Sequence, residues 1–147
     1  MKKLMIAIAA LCITLGAQAD IGWSWWMEDS SSVDLSFGLA SKRSKVNAFE
    51  LTLLYGGSEV ESGVQWCFLG VNDSDRANVL QLAPWFNRGN DACVQLGLID
   101  VSGSSVFQMG VVTVSDRSKV QIGFLNFNKN GFLPVFPFIN LDKSLFK

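Results

Sequence analysis

The chain has 147 residues, with 12 basic, 13 acidic and no histidine side chains. This length suits one domain. A slightly acidic chain lacks the electrostatic attraction to phosphates on which nucleic-acid binding depends, so a nucleic-acid partner is excluded. The absence of histidine removes the commonest general base and metal ligand. No catalytic, cofactor-binding or metal-binding residue is therefore nominated, and we expect no enzyme and no cofactor.

Residues 1–19 are predicted to be a signal peptide. Lys2 and Lys3 form a basic start, residues 4–15 an apolar run, and 17–19 read Ala-Gln-Ala, a small-residue cleavage site. The apolar run is shorter than the roughly 20 residues that cross a bilayer. Removal of this segment leaves ten basic and thirteen acidic side chains, a formal charge of −3. The sequence thus predicts export to the periplasm, the outer membrane or the cell surface.

Residues 20–32 form a lead-in with Trp23, Trp25 and Trp26 followed by three serines. Tryptophans in this position favour an apolar cap or packing wedge. Sugar stacking and anchoring at a membrane interface are the functional alternatives, which make these three residues the candidate interaction site.

A five-residue motif recurs seven times within residues 33–127. Its form is apolar, then Asp, Glu or Gln, then apolar, then small, then apolar. The acidic or Gln place of the seven copies falls at positions 34, 50, 65, 81, 95, 108 and 121, so the spacing is short and nearly regular. Repetition at so short a period indicates stacked or laddered structural units.

Each copy alternates apolar and polar residues, which is typical of a β-strand with one buried face. Polar turn-formers follow several copies, as in residues 72–75, 87–91, 102–105 and 115–118. No helical periodicity follows residue 19. The sequence therefore predicts an all-β fold made of short strands.

Two architectures fit this pattern. In a β-solenoid, like residues of successive coils stack in register, with apolar side chains inside and Gln outside. In an antiparallel up-and-down meander or small β-barrel, alternation alone suffices. Gln recurs in five consecutive copies, and a small residue fills one place in all seven, so the solenoid is favoured. The predicted structural ladder is Gln65, Gln81, Gln95, Gln108 and Gln121.

Cys67 and Cys93 fall in the third and fifth copies. Two strand spacings are roughly 9–10 Å, beyond the usual Cα separation of a disulfide, which is under about 7 Å. We therefore expect two buried free thiols, with Cys67 filling the small-residue place.

Residues 128–147 end the array differently. Asn130-Gly131 is a tight-turn signal, and Pro134 and Pro137 cannot donate to a sheet ladder. Because a repeat array must protect its last edge, this Phe/Pro segment is predicted to be a C-terminal cap.

The copies at residues 94–100 and 120–126 resemble the GLQIGLIN-type unit of the Leptospira-type surface repeat-containing proteins. Residues 128–138, which end in Gly-Phe-Leu-Pro-Val-Phe-Pro-Phe, resemble the ending of that family. The first three copies depart from it, with Asp34 and Glu50 in place of Gln and with Thr52 and Cys67 in place of Gly. The resemblance implies a repeat fold and exposure at the bacterial surface, and it implies no catalytic activity.

Together these features predict an exported bacterial surface or periplasmic repeat protein with a structural or interaction role. The partner, whether protein or glycan, is left open, as is association with the outer membrane. The alternative is a small integral outer-membrane β-barrel protein.

Overall fold

The computed structural model describes residues 20–26, 29–30 and 32–146; the predicted signal peptide lies outside the described residues. The described chain is almost entirely β-structure, wound into a solenoid of about six turns, so the predicted all-β solenoid is confirmed. No helix in the described ranges is long and apolar enough to cross a membrane.

Eight strands and one short helix follow one another in the described part of the chain. The strands are β1 (Ile21–Ser24), β2 (Asp29–Ser30), β3 (Val33–Glu61), β4 (Val64–Cys67), β5 (Val71–Leu82), β6 (Phe86–Leu96), β7 (Ile99–Asn128) and β8 (Val135–Leu141), and a 3₁₀ helix covers Lys143–Phe146. β3 and β7 are long because their β-structure continues around the corners of the solenoid.

The pairing is parallel from β1 to β7. Stacked coils require parallel pairing, whereas a meander or barrel would have antiparallel pairing. Gln65 pairs with Gln81, Gln81 with Gln95, and Gln95 with Gln108, so copies of the motif lie directly above one another. Six successive coils begin at residues 50, 65, 81, 95, 108 and 121.

The interior is polar. The prediction that apolar side chains lie inside the solenoid and Gln outside is therefore wrong. Glu50 and the glutamines from Gln65 to Gln121 have no exposed surface, whereas the apolar residues beside them face outward. The physical reason is that such short coils enclose a narrow interior. Stacked amides can satisfy one another there, because each amide has both a donor and an acceptor.

Five columns of inward side chains run through the coils, and each is named for a residue type that it contains. The glutamine column is followed around each coil by the small-residue, asparagine, serine and alanine columns. Their members in the coil that begins at residue 65 are Gln65, Cys67, Asn72, Ser74 and Ala77, all buried.

The C-terminal segment covers the last coil. β8 pairs with β7 in antiparallel orientation, with Gln121 opposite Asn140. Asn126 Nδ2 donates to Phe136 O at 3.1 Å, and Asn140 Nδ2 to Leu133 O at 2.9 Å. Phe138 has a φ of 68° at the irregularity in this pairing. The antiparallel strand ends the parallel stacking, since it offers a different hydrogen-bond pattern to any further coil.

Candidate functional site

The five predicted ladder glutamines lie inside the solenoid and bond to one another. Each Nε2 after the first donates to Oε1 of the glutamine one coil before it. The distances are 2.9 Å from Gln81 to Gln65, 2.8 Å from Gln95 to Gln81, 2.7 Å from Gln108 to Gln95 and 2.8 Å from Gln121 to Gln108. Gln65 Nε2 donates in turn to Glu50 Oε2 at 2.6 Å. These amides are buried and bonded, so they offer no binding face to solvent.

A second ladder runs along the asparagine column. Asn72 Nδ2 donates to Asn87 Oδ1 at 3.0 Å, and Asn87 Nδ2 to Asp100 Oδ1 at 2.8 Å. Farther along, Thr113 Oγ1 donates to Asn126 Oδ1 at 2.7 Å. Asn72 and Asn87 also donate to the carbonyl oxygens of Leu82 and Leu96 in the next coil, which ties the two sides of the solenoid together.

Ionisable groups are buried mainly in the first coils. Burial, with the nearby charge of Glu50, raises the pKa of Glu61 to about 8. Burial also raises the pKa of Glu50, against hydrogen bonds from Ser41 and Gln65 and the charge of Arg43. In the fourth coil, burial raises the pKa of Asp100 to about 6, although it accepts a bond from Asn87. All three carboxyl groups are closed off from solvent.

No group of three His, Cys, Asp or Glu side chains in the described part of the chain could hold a metal ion. Both described cysteines are free thiols. Cys67 is buried in the small-residue column, as expected. Cys93 is only half-buried, and the expectation for it is wrong, because it falls at a corner just after the inward Ala92.

The three lead-in tryptophans are strongly exposed. Trp23 packs its ring against Phe37, with 5.6 Å between centroids, but Trp25 is 82% exposed. They do not form a buried wedge, and their exposure leaves them available for contact.

An apolar ridge runs along the corner between the small-residue and asparagine columns. Five of the six coils expose two consecutive apolar side chains here, and the coil that begins at residue 108 exposes Val111. In a flat strand, two consecutive side chains would point to opposite faces. The ridge consists of Leu53, Leu54, Phe68, Leu69, Pro84, Trp85, Leu98, Ile99, Val111, Phe124 and Leu125, all exposed.

Beside the ridge lies a shallow open groove of about 500 Å³. Trp66, Phe68, Leu82, Pro84, Leu96 and Leu98 line it. The groove and the ridge form one continuous apolar surface, which is the candidate functional site of this chain.

Charged side chains gather at a different corner, between the serine and alanine columns. This charged corner contains Glu59, Asp75, Arg76, Asn90, Asp91, Asp116, Arg117, Lys129 and Asn130, all exposed. Lys129 pairs with Asp116, and Ser104 Oγ donates to Asp91 Oδ1 at 2.6 Å. The cross-section is therefore amphipathic, with an apolar corner and a charged corner.

Comparison with protein-family models, with curated proteins and with solved structures finds no match to this chain. The fold and the site themselves define the class: a short-coil β-solenoid with a hydrogen-bonded polar interior and an apolar ridge. The alternation of the motif does not predict the ridge. A signal for it was present, since an apolar pair directly follows the small residue in most copies and breaks the strict alternation of a strand.

Proposed function

We propose that this chain is an exported, non-enzymatic interaction module of the bacterial surface or periplasm. The observation that carries the proposal is the apolar ridge, which extends through all six coils, whereas the ladder glutamines of the interior are buried and bonded to one another. Solenoid proteins use extended surfaces built from successive repeats for binding. Large exposed apolar patches on a folded protein mark interaction sites.

Two sequence features support the location. One is the three-part leader of residues 1–19, whose pattern is that of a secretory signal. The other is the resemblance to surface repeat-containing proteins in residues 94–138. Neither feature identifies the partner. The chemistry of the partner has to match the apolar surface of the ridge.

The test is cell fractionation combined with protease treatment of intact bacteria that express the full chain. We expect the protein outside the cytoplasm, with an N-terminus at Asp20 by mass spectrometry. A control variant with Ile8→Asp and Ile13→Asp, which interrupts the apolar run of the leader, should stay in the cytoplasm with the leader uncleaved. An unmodified chain that stays in the cytoplasm at full length would overturn the proposal.

A further inference from the structure

We propose that the coil beginning at residue 50 encloses a binding site for one water molecule, held between Thr52, Asn72 and Glu50. The site lies inside the solenoid, so it goes beyond the proposed function and depends neither on the apolar ridge nor on export. Its support comes from the register of the asparagine column, from two buried oxygen atoms without a partner, and from the balance of hydrogen-bond donors and acceptors.

Gly56 interrupts the asparagine column. It lies in register with Asn72 and contributes no side chain to the interior. The five later coils fill the same place with buried polar side chains, which are Asn72, Asn87, Asp100, Thr113 and Asn126. Donation in this column runs from Asn72 to Asn87 and from Asn87 to Asp100. A donor to Asn72 Oδ1 would therefore be expected from the preceding coil, where Gly56 has none to offer.

Three oxygen atoms converge on the place where a side chain of Gly56 would begin. A Cβ there would lie 3.0 Å from Thr52 Oγ1, 3.1 Å from Asn72 Oδ1 and 3.2 Å from Glu50 Oε2. Thr52 and Asn72 are 1% and 0% exposed, and these two oxygen atoms have no hydrogen-bond partner among the described residues. Buried polar atoms are usually bonded to protein or to ordered water, because an unpaired one destabilises the fold.

The hydrogen-bonding capacity of the three atoms matches one water molecule. The Thr52 hydroxyl has one hydrogen to donate, and Asn72 Oδ1 has two lone pairs to accept with. Glu50 Oε2 accepts from Gln65 Nε2 at 2.6 Å and has a second lone pair. A water accepts from Thr52 and donates to Asn72 and to Glu50. These three hydrogen bonds are the usual number for a buried water.

A cation suits the site less well than water does. Ca²⁺ and Mg²⁺ take about six or more oxygen ligands, which is more than the three converging atoms supply. A cation would also leave the hydrogen of Thr52 without an acceptor. The positive charge of Arg43 already acts on Glu50, so a second one is not needed to balance it. A cation is therefore the competing outcome of the test.

The experiment measures the sign of a stability change by urea unfolding of the purified protein, followed by circular dichroism. Thr52→Val keeps the shape of the side chain and removes its hydroxyl. Because the hydroxyl bonds to the water, we expect the equilibrium constant of unfolding to rise about fivefold. A hydroxyl with no partner would give the opposite sign, since removing an unpaired buried polar group leaves stability unchanged or raises it. That result would overturn the proposal.

Two control variants calibrate the sign. Thr113→Val removes a buried hydroxyl that donates to Asn126 Oδ1 at 2.7 Å, so it should lose stability. Ser105→Ala removes a buried hydroxyl that has no partner in the described part of the chain, and alanine fills the same column at Ala92. This variant should lose none. Thr52→Val should behave like Thr113→Val, and behaviour like that of Ser105→Ala would contradict the water site.

A high-resolution crystal structure identifies the ligand itself. We expect electron density between Thr52, Asn72 and Glu50, with contacts of about 2.8 Å that are the same in sodium and in tetramethylammonium salts. Absence of density there would overturn the proposal. Contacts of about 2.4 Å, or a urea midpoint that rises with sodium or calcium at constant ionic strength, would assign the site to a cation instead.

Discussion

The first and last coils of the array share one register but differ in length and in what fills their interior. The glutamine column advances from position 50 to 65 and then to 81 in the first coils, and by smaller steps, from 95 to 108 and then to 121, in the later ones. Glu50 and Glu61 are buried in the first coil, whereas Asp100 is the buried carboxyl group among the described residues of the last three coils. The later coils are therefore shorter and come closer to a uniform ladder of neutral amides.

The small-residue column changes in step with coil length. It holds Thr52, Cys67 and Ala83 in the first three coils, then Gly97, Gly110 and Gly123. The asparagine column follows the glutamine column after six or seven steps along the chain in the first three coils, and after five in the last three. A Cβ on Gly110 would lie 2.6 Å from Gly97 O, and one on Gly123 would lie 2.5 Å from Gly110 O. The tighter corner brings backbones so close that only glycine fits.

The largest loss of stability is expected from breaking the glutamine ladder in the first coils, where Glu50 and Glu61 are buried. Gln65→Ala removes the donor to Glu50 Oε2 and the acceptor of bonds from Gln81 and Ser74. Because it leaves a buried carboxyl group short of a partner, we expect a loss of about 4 kcal/mol in the free energy of unfolding.

Gln95→Ala is the matched variant in the later coils. There it leaves only the neutral amides of its neighbours unpaired. Its expected loss is about 3 kcal/mol, smaller than that of Gln65→Ala. Urea unfolding followed by circular dichroism measures both. If Gln95→Ala lost more stability than Gln65→Ala, the buried carboxyl groups of the first coils would not make those coils more dependent on the ladder.

The next effect concerns the small-residue column. Gly110→Ala places a methyl group against a backbone carbonyl that cannot move aside, so we expect a loss of about 2 kcal/mol. Cys67→Ala, at the equivalent place in a longer coil, should cost about 1 kcal/mol, since it only leaves a small void. Thermal unfolding compares the two variants. Equal losses of stability would contradict the inference that the shorter corners of the later coils require glycine.

A pH dependence is expected from Glu61. Its pKa is raised to about 8 in the folded chain, so the folded state holds a proton that the unfolded state releases near pH 4.5. The contribution of Glu61 to stability is thus fully present below about pH 4.5 and is lost as pH rises towards 8. Glu61→Gln should remove this loss and make the chain more stable than the unmodified protein at about pH 8.

Urea midpoints between about pH 5 and pH 8 measure this effect. The control is Glu59→Gln, which neutralises an exposed neighbour two residues away. If Glu59→Gln flattened the pH profile as much as Glu61→Gln did, the dependence would not come from the buried carboxyl group.

The smallest effect is on thiol reactivity, with no change in stability. Cys67 is fully buried and Cys93 half-buried, so iodoacetamide should modify Cys93 well before Cys67 in the native protein. Mass spectrometry of the digested protein locates the label. Labelling of Cys67 at the rate of Cys93 would show that the second coil opens readily.

The sequence by itself determined the all-β class, the period of the repeat and the register of its copies. The prediction of short strands was wrong: residues 72–75, 87–91, 102–105 and 115–118, expected to be turns, lie within β5, β6 and β7, because the ladder continues around the corners of each coil. A motif with Gln and a small residue at fixed places can stack in only one alignment, since a shift by one residue would turn every side chain to the other face. Residues 94–98 and 107–111, for example, were matched from sequence, and the structure pairs Val94 with Phe107 and Gln95 with Gln108.

Only the tertiary structure decided which side of each strand faces inward. Alternation distinguishes two faces but does not name the buried one, and the usual expectation buries the apolar face. Here the closed coil is too narrow for large apolar side chains on all sides, whereas amides from neighbouring coils bond to one another along the stack. The same closure turns the apolar pairs at the corners outward, and that is why the ridge emerged from the structure and not from the motif.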